Sequence, residues 1–119
     1  MNIEKLLDSL PHSKFRGSFH LNNKMKEYVE EKGLDKMQKD AEEIVLKRLA
    51  AANPVNDGKQ TPMKQVHPIF IAQHATGCCC RGCLERIHKI KKGSPLTQQQ
   101  IDYTVSVIMC WIKKEAVWK

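Results

Sequence analysis

Apolar residues recur every three or four positions in the first half of the chain, which is the spacing of a helix with one buried face. A short N-terminal helix is expected to end at Pro11, with apolar positions Ile3, Leu6, Leu7 and Leu10. A second helix is predicted to begin at Asn22 or Asn23, either of which can cap it, and to end before Gly33, a residue suited to a left-handed cap. A third helix, capped by Asp35, has an apolar stripe formed by Met37, Ala41, Ile44, Val45 and Leu49.

The second half of the chain has a polar loop followed by further helical segments. Residues 53–66 are rich in turn-forming residues and predict a long loop. The apolar run at 68–72 is short enough for a strand or a helical turn, and we favour helix or irregular structure. Thr97 and Gln100 have the spacing of a capping box, with Leu96 and Ile101 as a hydrophobic staple. The helix that follows has an apolar face made of Ile101, Thr104, Val105, Ile108, Met109, Ile112 and Ala116.

These patterns predict a mostly α-helical fold, because the sequence lacks stretches of alternating polarity joined by hairpin turns. We expect a compact small helical domain with a long central loop and a Cys/His-rich helix entrance. A length of 119 residues allows one hydrophobic core, so 1–119 is predicted to be a single domain. Its parts are an N-terminal helix and loop (1–21), two helices (22–52), a loop with a buried apolar segment (53–76), and the Cys/His helix with the long C-terminal helix (77–119).

The composition is that of an ordinary water-soluble globular protein, with 41% hydrophobic and 28% charged residues. No apolar run approaches the roughly 20 residues that cross a bilayer, and charged residues at the start of the chain argue against a secretory signal. We therefore expect a cytoplasmic protein without a membrane partner. Its five cysteines then favour metal binding, reactivity or burial over disulfides, because the cytosol is reducing.

The net charge of +7 is concentrated in the last third of the chain. A local cluster that could attract nucleic acid or another phosphate ligand consists of Arg81, Arg86, Lys89, Lys91 and Lys92. The alternative is a solvated basic face that keeps the protein soluble. Aromatic residues for base stacking are not interleaved with these basic residues, which weakens the nucleic-acid interpretation.

The segment from His67 to His88 holds four of the five cysteines and three of the five histidines. Cys80 and Cys83 form a Cys-x-x-Cys pair, and Cys79 lies one helical turn before Cys83. Zinc is the predicted metal, with a tetrahedral set drawn from Cys79, Cys80, Cys83, His88 and His74. An iron-sulfur cluster on Cys78, Cys79, Cys80 and Cys83 is less favoured, because three consecutive side chains do not easily point the same way.

Two other interpretations of the cysteines stay open. Cys80 or Cys83 at a helix start, close to Arg81 and Arg86, has surroundings that lower a thiol pKa, and His74 or His88 could act as its base. Such a centre would make the protein a thiol- or metal-dependent enzyme, with catalytic candidates Cys80, Cys83 and His74. Alternatively the cysteines are small buried apolar residues, as we predict for Cys110, and Met63 is likewise predicted to be a packing residue.

Several motifs together resemble an uncharacterised bacterial family known as domain of unknown function 4186. They include SKFR at 13–16, NDGKQTPM at 56–63, HPIFIAQHAT at 67–76 and CCRGCL at 79–84. The resemblance implies a small bacterial or phage-borne cytosolic protein without an assigned reaction, in which the loop and the Cys/His segment belong to one signature. Cys78 departs from the family's usual residue, which makes it the least favoured ligand of the four cysteines.

That signature suggests that the polar loop folds over the Cys/His centre to form a pocket. Its candidate cofactor-binding residues are Asp57, Lys59, Gln60, Gln73 and Arg81, joined by Thr61 and His88. The alternative is a loop held by its own Asn56 and Asp57 side-chain hydrogen bonds. Trp111 and Trp118 lie off the main apolar stripe of the last helix and suggest a homodimer face, so a structural or interaction protein without metal is a third possibility.

Overall fold

A computed structural model describes residues 5–7, 16–54 and 61–116. Within these ranges all regular elements are helices, which confirms the predicted mostly α-helical fold. They are a 3-10 helix at Arg16–Ser18, α1 at Asn23–Lys32, α2 at Leu34–Arg48, α3 at Pro68–Thr76, α4 at Arg81–His88 and α5 at Gln98–Ala116. The predicted N-terminal helix is described only at 5–7, which is helical, and the centre of the predicted loop (55–60) lies outside the described residues.

The first two long helices form around one glycine. The side chain of Asn22 accepts a hydrogen bond from the backbone N–H of Met25 at 2.9 Å and caps α1 as predicted. Gly33 then has φ 84°, and α2 begins at the next residue, Leu34. The prediction that Asp35 caps α2 is therefore wrong by two positions, because Gly33 with its positive φ is enough to join the two helices.

α5 packs against α2 and α3 and is the central helix of the core. Its predicted face is buried from Ile101 to Ile112, and Val107, which the pattern did not include, is buried as well. The radius of gyration of 13.3 Å is close to the ~13.5 Å expected for a compact domain of this length. Met63 is 58% exposed, so its predicted role in packing is wrong.

α3 and α4 bring the cysteine-rich segment to one side of this core. His67 caps α3 through its Nδ1 atom, Pro68 occupies the first turn, and the helix ends at Gly77 with φ 74°. A Cβ atom at Gly77 would also overlap the end of the Ile87 side chain, so a larger residue would have to displace that side chain as well as adopt a positive φ. Cys80 then caps α4. None of the helices in the described ranges combines the length and the apolar content needed to cross a bilayer.

Candidate metal centre

Three sulfur atoms meet at the N-terminus of α4. The Sγ atoms of Cys79, Cys80 and Cys83 all lie within 4.8 Å of one another. Cys80 caps the helix by accepting a hydrogen bond from the backbone N–H of Cys83 at 3.4 Å, and the Cys79 and Cys83 sulfurs are 3.5 Å apart. The Cys-x-x-Cys spacing and the preceding cysteine thus converge on one point, and the three-cysteine group can hold a metal ion.

Two guanidinium groups contact the sulfur of Cys83. Arg16 Nη2 donates to it at 3.2 Å, and Arg86 Nη2 donates at 3.3 Å. Arg16 lies in the 3-10 helix, is only 8% exposed and also donates to the backbone carbonyl of His74. Sequence reasoning missed Arg16 because it is 67 residues from Cys83, and only its presence in the SKFR motif marked it.

These contacts set the protonation of the sulfur group. The pKa of Cys83 is lowered to about 4, mainly by a hydrogen bond from the Cys79 thiol, with help from Cys80 and Arg16 against the opposing effect of burial. The pKa of Cys79 is raised, first because its thiol donates that hydrogen bond and then by burial. Cys79 and Cys83 therefore titrate as a pair, in which the guanidinium contacts favour the negative charge on Cys83.

His74 lies beside the three-cysteine group without joining it. Its Nε2 atom contacts the backbone carbonyl of Thr61 at 3.0 Å, and because a carbonyl only accepts, Nε2 carries the proton. The Thr61 hydroxyl donates to the carbonyl of Cys79 at 2.8 Å, and the His74 ring stacks on Phe19 at 5.2 Å between centroids. His74 thus holds Thr61, in the predicted loop, against the cysteine segment.

His88 is bound on both ring nitrogens at the other end of α4. Nε2 donates to the carbonyl of Thr76 at 2.8 Å, so Nδ1 accepts from the hydroxyl of Tyr103 at 2.9 Å. Burial lowers the pKa of His88, which keeps the ring neutral. Cys78 is close to this ring and fully buried, and burial raises its pKa to about 12. Among the described residues, the structure therefore groups three predicted ligands and leaves His74, His88 and Cys78 outside that group.

The predicted cofactor-binding residues are placed differently from the expectation. Arg81 is only 1% exposed, and its guanidinium donates to backbone carbonyls at the end of α2 and in the segment before α5. It therefore belongs neither to an open pocket nor to an exposed basic cluster, because its charge is satisfied inside the protein. Gln73 is also buried and donates to the carbonyl of Cys78 at 3.1 Å. Asp57, Lys59 and Gln60 lie outside the described residues.

The other four basic residues of the predicted cluster are exposed. We call Arg86, Lys89, Lys91 and Lys92 the basic surface. It follows the C-terminal half of α4 and the turn after it, where Lys89 adopts φ 60°. Trp111 packs partly against the core and Trp118 lies outside the described residues, so the homodimer face stays a prediction.

The fold and the sulfur group together define a helical protein with a three-cysteine candidate metal site. Residues 4–113 match the family described as Domain of unknown function (DUF4186). Because this match spans nearly the whole chain, the chain belongs to that family, as its motifs predict. No solved structure matches the chain.

Proposed function

We propose that the protein binds zinc through Cys79, Cys80 and Cys83. The observation that carries this proposal is the convergence of three sulfur atoms within 4.8 Å at the start of one helix. Thiolates are the ligands that zinc favours in structural sites, and a Cys-x-x-Cys pair supplies two of them on one turn. Zinc bound there would tie the start of α4 to the preceding segment, and the fourth ligand would come from water or from a group outside the three-cysteine group.

The two guanidinium groups beside the sulfur atoms support a zinc site whose thiolates carry more negative charge than the metal ion neutralises. Zinc with three thiolates carries a net charge of about −1. The guanidinium groups of Arg16 and Arg86, both within 3.3 Å of the Cys83 sulfur, can balance that charge. Hydrogen bonds of this kind orient the ligands of metal sites and adjust their affinity. Arg16 and Arg86 are therefore proposed to stabilise the metal-bound form without contacting the metal.

Elemental analysis of protein purified without chelator tests the proposal. We expect one zinc per chain, lost in the double variant Cys80→Ser/Cys83→Ser. Cys110→Ser is the matched control, because Cys110 lies in α5 outside the three-cysteine group and should leave the zinc content unchanged. Protein without stoichiometric metal, or zinc that survives the double substitution, contradicts the proposal.

A second candidate function is thiol chemistry, favoured by the lowered pKa of Cys83 and its two guanidinium contacts. A thiolate at neutral pH is the reactive form of cysteine, and Cys80 beside it is partly exposed. Alkylation with iodoacetamide, mapped by mass spectrometry, separates the two functions. A free thiolate reacts well below pH 8, whereas a zinc-bound group stays protected until a chelator is added.

We further propose that the basic surface binds phosphate groups of nucleic acid. Its four side chains are exposed within a seven-residue stretch of the chain, with Glu85 as the acidic neighbour. The net charge of +7 would favour approach to a polyanion. The affinity for single-stranded DNA should then fall steeply as the salt concentration rises. If the protein does not bind single-stranded DNA even at low salt, this proposal is wrong.

We also propose a cytoplasmic location for the protein. Five free thiols are typical of a reducing compartment, which supports this location.

A further inference from the structure

A cavity of about 240 Å³ lies next to the basic surface. It is lined mostly by apolar atoms of His88, Ile90, Gln99, Gln100 and Tyr103. Ile90 reaches it from the turn after α4, and the two residues on either side of Ile90 along the chain are the exposed Lys89 and Lys91. The mostly apolar cavity and two exposed lysines therefore belong to the same short segment of the chain.

Tyr103 gives this cavity an aromatic wall in a fixed orientation. The Tyr103 ring meets the His88 ring edge-on, with centroids 5.5 Å apart and planes at 72°. Its hydroxyl donates to His88 Nδ1 at 2.9 Å, and His88 in turn donates to the carbonyl of Thr76. Because this chain of hydrogen bonds already orders the ring, a ligand that stacks on Tyr103 does not have to immobilise it.

We infer that the cavity accepts one unpaired base of a single-stranded nucleic acid, whose phosphates contact Lys89 and Lys91. A base is flat and apolar on its faces and polar at its edges, which fits a mostly apolar cavity that is also lined by Gln99 and Gln100. The cavity is smaller than the roughly 300 Å³ or more typical of drug-sized ligands, so it suits a single small ring system. Aromatic side chains beside a basic groove are the usual means of binding single strands. The inference rests on the phosphate-binding surface proposed above.

The arrangement is not evident from the sequence because Tyr103 is more than ten residues away from Lys89 and Lys91 along the chain. The stretch from Arg81 to Lys92 contains no Phe, Tyr or Trp, whereas Tyr103 follows on α5. The fold removes the separation by packing His88 against Tyr103. The missing stacking group is therefore supplied through tertiary structure.

Fluorescence anisotropy with a labelled single-stranded thymidine oligonucleotide tests the inference. Tyr103→Leu should weaken binding about tenfold, because stacking of one base on an aromatic ring contributes ~1–3 kcal/mol. Tyr103→Phe keeps the ring but loses the hydrogen bond to His88 that orders it, so it should weaken binding by clearly less than Tyr103→Leu does, about two- to threefold. An oligonucleotide of the same length with abasic sites should bind the wild type about tenfold more weakly and should not distinguish the wild type from Tyr103→Leu.

The outcomes separate the cavity from the basic surface. If Lys89→Gln and Lys91→Gln weaken binding but Tyr103→Leu does not, the base-binding cavity is wrong and the phosphate-binding surface stands. If the wild type binds no oligonucleotide at low salt, both are wrong, while the zinc proposal is unaffected. If Tyr103→Leu does not fold, the comparison between the thymidine and abasic strands on the wild type decides, since equal affinities overturn the inference.

Discussion

Arg81 is a buried cation that joins three parts of the chain. Its Nη1 atom donates to the carbonyls of Leu49 and Ala51 at 3.1 and 2.6 Å, and its Nη2 atom donates to those of Lys91 and Ser94 at 3.2 and 2.8 Å. The first pair lies at the end of α2 and the second pair in the segment that leads to α5. We predict that Arg81 is the most stability-sensitive charged residue of α4.

The magnitude follows from the four hydrogen bonds. Substitution by methionine keeps a similar volume but leaves four carbonyl groups without this donor. Each hydrogen bond from a charged donor contributes about 1.5–3 kcal/mol, but the substitution also relieves the desolvation cost of the buried guanidinium. We therefore expect a net loss of about 3–5 kcal/mol, which is a large part of the ~5–15 kcal/mol that stabilises a domain. Arg81→Lys keeps the charge, but its single ammonium group does not reproduce the planar fork of donors, so we expect most of the loss to remain.

Urea unfolding followed by circular dichroism measures this effect. Lys91→Met is the matched control, because Lys91 lies in the segment that Arg81 binds but is itself exposed, and we expect it to lose less than about 1 kcal/mol. Arg81→Met should also lower the melting temperature by about 10–20 °C. A loss in Arg81→Met no larger than in Lys91→Met would refute the structural role assigned to Arg81.

Three further predictions concern pH, the thiolate and a helix cap. Burial lowers the pKa of His88 from its usual 6.5, so below about pH 6.5 the unfolded chain binds more protons than the folded protein does. The contribution of His88 to stability is therefore fully present above that pH and is lost as the pH falls towards the lowered pKa. His88→Gln, which can both donate and accept, should reduce this dependence, and an unchanged pH profile would argue against it. Arg16→Gln should raise the pH midpoint of Cys83 thiolate absorbance in metal-free protein by about one unit, whereas an unmoved midpoint would show that Arg16 does not stabilise the thiolate. Thr97→Ala should cost about 1 kcal/mol of unfolding free energy because the cap of α5 is lost, Thr97→Ser should retain most of it, and equal stability of all three proteins would disprove the cap's contribution.

Local sequence signals predicted the helices well. The capping box of α5 is present as expected, with Gln100 N–H donating to the Thr97 hydroxyl at 3.1 Å and Thr97 N–H donating to the Gln100 side chain at 2.9 Å. Asn22 and Gly33 mark the ends of α1 for equally local reasons. Such signals depend on residues within one turn of each other, so they can be recognised without knowledge of the tertiary structure.

The candidate site was predictable only where it is local. Cys79, Cys80 and Cys83 meet because a helix start brings them together, which their spacing indicates. Arg16 could not be placed, because its partners, the sulfur of Cys83 and the carbonyl of His74, are 67 and 58 residues away. Arg81 was assigned to a basic cluster for a similar reason, because its partners Leu49 and Ala51 are about 30 residues away along the chain.

The two histidines show why residue type alone does not define a ligand set. His74 and His88 are close to the cysteines along the chain, but their Nε2 atoms each contact a backbone carbonyl, of Thr61 and Thr76 respectively. A histidine that donates to a buried carbonyl and a histidine that binds a metal can have the same spacing from the cysteines, so the sequence does not distinguish them. Their predicted roles as ligands stay predictions that measurement of the bound metal can decide.

X-ray absorption at the zinc edge of the native protein tests the central claim most directly, since it counts the atoms bound to the metal. We predict three sulfur ligands at about 2.3 Å and one lighter nitrogen or oxygen ligand at about 2.0–2.1 Å. The sulfur count should fall in Cys83→Ser and stay at three in Cys110→Ser. A metal surrounded only by nitrogen and oxygen, or a protein that binds no zinc, would contradict the account.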